Sequence, residues 1–74
     1  MKTNYFIIQL ERDDKYMALI GFAAENENMT NVINPYKDIY HVVAVNVMAN
    51  KEKARQAVDK YNSKYKAIGK SLLS

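Results

Sequence analysis

The chain has 74 residues, no cysteine, two glycines, one proline and a net charge of +3, which leaves room for one domain spanning 1–74. A disulfide framework and thiolate metal sites are excluded, and no stretch reaches the roughly 20 apolar residues of a membrane span. A chain this short buries only about 60% of its unfolded surface. Without staples of that kind, its stability has to come from tight packing or from a second subunit.

The N-terminal apolar run is broken at Gln9 and Glu11, unlike the core of a signal peptide, so the cytoplasm is the expected compartment. Charge is unevenly spread. Residues 1–50 carry four Lys/Arg against six Asp/Glu, whereas residues 51–74 carry seven against two.

Tyr5 to Glu11 is dense in β-formers and reads as a strand with Phe6, Ile8 and Leu10 on one face. Tyr16 to Phe22 reads as a second strand, and the short polar link between them predicts a hairpin. With Asp13-Asp14 as a two-residue loop, Leu10 faces Met17, Ile8 faces Leu19 and Phe6 faces Gly21. The turn lacks the glycine such loops favour, so a register differing by one residue stays open.

Residues 23–38 show no clear period and are rich in Asn and acidic side chains. They are expected to form either a short fourth strand around Met29–Ile33 or a long functional loop, with a turn at Asn34-Pro35. Ile39 to Met48 is apolar on both faces and predicts a third strand at mid-sheet with both faces covered. Strand order itself stays open between second-first-third and first-second-third.

Asn50 is placed as an N-cap and Lys51 onward reads as a helix. Ala54, Ala57, Val58, Tyr61, Tyr65 and Ile68 fall within an arc of roughly 100°. Gly69 is placed to end the helix. The expected fold is therefore α+β, a small antiparallel sheet of three or four strands with one C-terminal amphipathic helix on one face (β-β-β-α). One helix covers one sheet face; the other face is left for a second copy, a protein partner or the 23–38 loop.

Residues for catalysis are sparse. His41 is the one histidine, within a strand, and the three serines lie in the helix and tail, away from any triad arrangement. Asp13 and Asp14 are turn residues rather than an acid–base pair. Asp38 and His41 lack a second histidine for a metal site, and no glycine-rich phosphate loop is present. The expectation is a protein that is not an enzyme and has no cofactor and no metal.

Two binding classes remain. The first is a protein-interaction module, forming a homodimer or engaging a protein partner, with Val42, Val43 and Val45 as its candidate interface. The alternative is a nucleic-acid-binding accessory protein. Lys53, Lys60 and Lys64 lie within about 40° on the helical wheel, and Lys60–Lys64 is an i,i+4 like-charge pair that phosphates or an acidic partner would relieve. Tyr36, expected in the loop, is the tyrosine free to stack on a base. Arg55 is placed to pair with Asp59 on the other flank.

The Val-rich strand, the Lys-Ala helix from Asn50 and the closing Tyr61-Asn62-Ser63-Lys64-Tyr65-Lys66 with Gly69 resemble the tail of short uncharacterised reading frames. Those frames occur in phages and mobile elements of Gram-positive gut bacteria. The resemblance covers about a third of the chain and implies a setting, a small accessory or host-interaction protein, with no activity to transfer.

Overall fold

A computed structural model describes residues 2–73. The elements run β1 (Thr3–Arg12), β2 (Lys15–Ala24), α1 (Met29–Lys37), β3 (His41–Met48) and α2 (Lys51–Ala67). The three strands form one antiparallel sheet in the order β2-β1-β3.

The β1–β2 hairpin takes the expected register, with Leu10 opposite Met17, Ile8 opposite Leu19 and Phe6 opposite Gly21. Asp13 and Asp14 both hold positive φ, 54° and 63°. Two such residues in a row match the twist of the flanking strands, and Asp tolerates that region without glycine. The Asp14 N–H also donates to the Glu11 carboxylate at 3.0 Å, which helps fix the turn.

Residues 29–37 form a helix, which corrects the expectation of a loop or fourth strand. Met29, Val32, Ile33 and Tyr36 stand at i, i+3, i+4 and i+7, the spacing of an apolar helical stripe. Asn28 caps it, its side-chain oxygen accepting from the Thr30 N–H at 3.0 Å. Pro35 lies inside this helix as its seventh residue, and it masked the pattern because proline removes an interior hydrogen bond. The element order is thus β-β-α-β-α.

The two helices lie on opposite faces of the sheet. Val32, Ile33 and Tyr36 of α1 pack with Ile8, Leu10 and Met17. A Cβ added at Gly21 would come within 2.8 Å of Val32 Cγ1 and 2.7 Å of Ile8 Cδ1, so glycine lets α1 sit close to the sheet. On the other face, the Tyr65 hydroxyl of α2 donates to Gln9 Oε1 at 2.7 Å. Gln9 and Ile8 are strand neighbours and point to opposite faces. The face left over by the C-terminal helix is therefore met by α1.

The central strand is β1, not β3, which corrects the mid-sheet placement of Ile39–Met48. Ile7, Ile8 and Leu10 are the largest fully buried side chains, whereas no residue of β3 is fully buried. Each fully buried aliphatic side chain contributes about 1.5–3 kcal/mol, so the core rests on β1. The two-sided apolar pattern of β3 arises because both helices reach its flanks while its outer side stays open.

A bulge between Gln9 and Leu10 breaks the alternation of β3. Val42 faces Leu10 and Ala44 faces Gln9, leaving Val43 as the extra residue. Val42, Val45 and Val47, opposite Leu10, Ile8 and Phe6, therefore share the α1 face.

Helix α2 begins and ends as expected. The Asn50 side chain accepts from the Lys53 N–H at 2.9 Å. At the C-terminus the Gly69 N–H donates to Lys66 and the Lys70 N–H to Tyr65, the paired bonds of a Schellman motif, with Gly69 at φ 70°. Ala54 is fully buried and Tyr61 and Tyr65 are half-buried, but Ile68, on the expected stripe, is exposed at the cap.

Candidate interaction surface

The two sheet edges differ in how their backbone groups are satisfied. Along β2, the Tyr16 N–H donates to the Lys70 carbonyl at 2.7 Å, and the Leu72 N–H donates to the Tyr16 carbonyl at 2.9 Å. The tail thus adds a short parallel bridge, Tyr16 to Ser71. At Ala18, one asparagine side chain replaces a strand: the Ala18 N–H donates to Asn62 Oδ1 at 2.8 Å, and Asn62 Nδ2 donates to the Ala18 carbonyl at 3.0 Å. At the far end Ala24 is closed by Glu27, through its carboxylate at 3.1 Å and its backbone N–H at 3.0 Å.

Stacked tyrosines brace this capped edge. Tyr16 lies on Tyr65 with ring centroids 5.3 Å apart, and Tyr61 follows at 6.4 Å. Burial, and then the neighbouring Tyr61 and Tyr16 rings, push the Tyr65 phenol up from its ordinary value. Lys70 reaches Asp14 at 2.8 Å, the only ion pair among the described residues, and that bond raises the lysine's pKa.

The outer edge of β3 carries nothing comparable. Among the described residues, no backbone group of His41–Met48 makes a hydrogen bond outside the β1 ladder. Because Tyr16 and Ala18 turn their backbone groups outward, their partners Glu11 and Gln9, and with them Ile7 and Tyr5, turn theirs toward β3. Ala44, Asn46 and Met48 answer them, so Val45 and Val47 direct N–H and C=O away from the sheet.

The side chains along this edge are apolar and open. Val43 is 48% and Val47 65% exposed, and Ile39 just before the strand is 57% exposed. No Lys, Arg, Asp or Glu occurs from Ile39 to Asn50, a run of uncharged residues in a chain with 19 charged ones (11 basic, 8 acidic).

Of the predicted interface residues, Val43 is exposed at this edge, Val45 is half-buried, and Val42 packs against the Ile8–Leu10–Met17 cluster. Sequence reading missed Val47, which only the strand's edge position makes available. The second predicted set does not form one surface. Lys53, Lys60 and Lys64 are exposed on α2 and make no ion pair among the described residues. Tyr36 lies on α1 across the sheet, half-buried against the core cluster rather than free in a loop. Arg55 and Asp59 do not pair.

Two shallow depressions flank α2. One of about 380 Å³ is lined by Asp59, Asn62, Ser63, Lys66, Ser71 and Leu73. The other, about 370 Å³, is lined by Thr3, Tyr5, Ile20, Phe22 and Lys51. Among the described residues no three His, Asp or Glu side chains converge, and no helix is long and apolar enough to cross a membrane. The chain matches no protein-family model, no curated protein and no solved structure.

Proposed function

We propose that the chain is a non-enzymatic protein-interaction module that receives a partner strand along the outer edge of β3. The observation that carries this reading is the contrast between the edges. The chain's own tail, Asn62 and Glu27 close the β2 edge at Tyr16, Ala18 and Ala24, leaving Ile20 and Phe22 without such a partner among the described residues. By contrast, β3 is closed at no position among them: Val45 and Val47 present unpaired backbone groups beside exposed valines. An added strand gains affinity from main-chain hydrogen bonds and selectivity from alternate side chains. Proteins that keep an edge free place charges or prolines along it; none stand between Ile39 and Asn50.

The setting proposed for this activity is the cytoplasm, in a small accessory or host-interaction protein of the kind its C-terminal third resembles. The test is a photo-crosslinking side chain placed at Val47 and, separately, at Lys60, each probed in cells expressing the full chain. Protein adducts from position 47 and not from position 60 are expected. Absence of protein adducts at 47 would sink the reading. Adducts to nucleic acid from position 60, lost at high salt, would replace it with the lysine-stripe alternative.

A further inference from the structure

The strand that β3 receives has a definable chemistry. We infer that it is the β3 strand of a second copy of this chain, paired antiparallel about a two-fold axis at Val45, so that the sheet runs continuously through both subunits. This inference rests on the interaction reading above and names its occupant.

Three observations point to a second copy rather than a foreign strand. The first is register. Antiparallel pairing centred on Val45 sets Val43 of each copy opposite Val47 of the other, and these are the two most exposed residues of the strand's apolar set. An isologous contact of this kind satisfies both surfaces with one sequence. Ala44 then stands opposite Asn46 on the other face, a small residue across from a polar one, with no like charges brought together.

The second is backbone geometry. Val45 and Val47 both turn their N–H and C=O outward, so the pairing supplies partners to groups that the chain leaves without one among the described residues. The third is the thin core. Among the described residues only eight, including the fully buried β1 aliphatics Ile7, Ile8 and Leu10, make up the buried hydrophobic set. The chain has no cysteine with which to staple it. Domains of this size commonly gain their missing burial from a partner subunit, and a permanent subunit does so where a transient ligand does not.

The test is light scattering and far-UV circular dichroism on the full chain and two double variants. Wild type is expected at twice the 8.5 kDa chain mass. V43K/V47K, which places lysine opposite lysine, is expected to be a folded monomer. V43K/V47E, which places lysine opposite the partner's glutamate, is expected to regain the dimer and to lose it progressively with salt. Positions 43 and 47 are too far apart along one strand to pair within a chain, so recovery reports the intermolecular register.

A wild-type monomer at millimolar concentration overturns the inference, as does a V43K/V47K dimer or a V43K/V47E monomer. Should the variants lose their folded spectrum, amide exchange on wild type decides. Val45 and Val47 amides that slow as protein concentration rises support the pairing, and concentration-independent exchange overturns it. A monomer that still forms protein adducts from position 47 overturns self-pairing and leaves the interaction module standing; a monomer without adducts overturns both.

Discussion

The two edges of this sheet solve the same problem differently. An edge strand exposes a row of unsatisfied N–H and C=O groups, and each must find water, protein or another strand. At β2 the chain supplies its own substitutes: the tail at Tyr16, the Asn62 amide at Ala18 and Glu27 at Ala24. At β3 it supplies none among the described residues, and the side chains there are valines. The difference follows from where α2 ends. Its last turns lie over β2, so Asn62, Tyr65 and the Schellman turn at Gly69 deliver the tail to that edge alone.

The capped edge is most sensitive at Asn62. Asn62→Ala leaves the Ala18 N–H and carbonyl unpaired at a residue that is 1% exposed. An unsatisfied buried group costs about 1–3 kcal/mol, and the largest loss of denaturation midpoint in this set is expected here. Midpoints within error of wild type would show that water replaces the amide. Gly69→Ala tests the same edge more gently. A Cβ there meets no atom within 4 Å, so the cost is that of holding alanine at φ 70°. About 1 kcal/mol is expected, together with faster exchange of the Tyr16 and Leu72 amides as the tail loosens.

Alkali addresses the capped edge without mutation. Tyr65 and Lys70 both hold their protons more tightly in the folded chain, the first chiefly through burial and the second through its bond to Asp14. A raised folded value gives stability that is full below the unfolded value and lost as pH rises through the folded one. Stability should therefore be flat through neutrality and fall only above the ordinary values of 10.0 for tyrosine and 10.5 for lysine. Thermal melts of wild type and Tyr65→Phe across that range check this, and an equally steep decline in the variant would remove Tyr65 as a cause.

The smallest effect is expected at the open edge. Val47→Lys alters a side chain that is 65% exposed, so dilute protein should change by no more than about 0.5 kcal/mol. In concentrated protein the melting temperature of wild type should rise with concentration and that of the variant should not. A large loss in dilute protein would mean that Val47 is part of the fold rather than of an interface.

Much of the fold was legible in the residues because it depends on neighbours in sequence. The hairpin register followed from alternation in β1 and β2 and a polar pair between them, and α2 followed from its stripe, Asn50 and Gly69. Helix α1 was legible in principle, through Met29, Val32, Ile33 and Tyr36, but nine residues rich in Asn with Pro35 inside gave a weak local signal. Its stability comes from docking on Ile8, Leu10 and the bare backbone of Gly21, contacts made only after the sheet exists.

The candidate site was legible in part. Val43 was identified by composition, but Val47 acquires its meaning from lying at an edge, and Val42 loses its from the bulge that turns it inward. Lys53, Lys60 and Lys64 were correctly read as one exposed helix face, yet Tyr36 could not be joined to them, because the helices that carry them lie on opposite sides of the sheet.

By itself the sequence determined the hairpin and its pairing, the capped C-terminal helix and the absence of staples, since periodicity, turn chemistry and capping act over a few residues. Only the tertiary structure decided that β1 rather than β3 is central, that residues 29–37 form the second helical layer, and which edge the tail closes. Those outcomes turn on contacts between segments far apart in the chain, and a strand apolar on both faces looks the same in sequence whether it is buried at mid-sheet or stands at an edge between two helices.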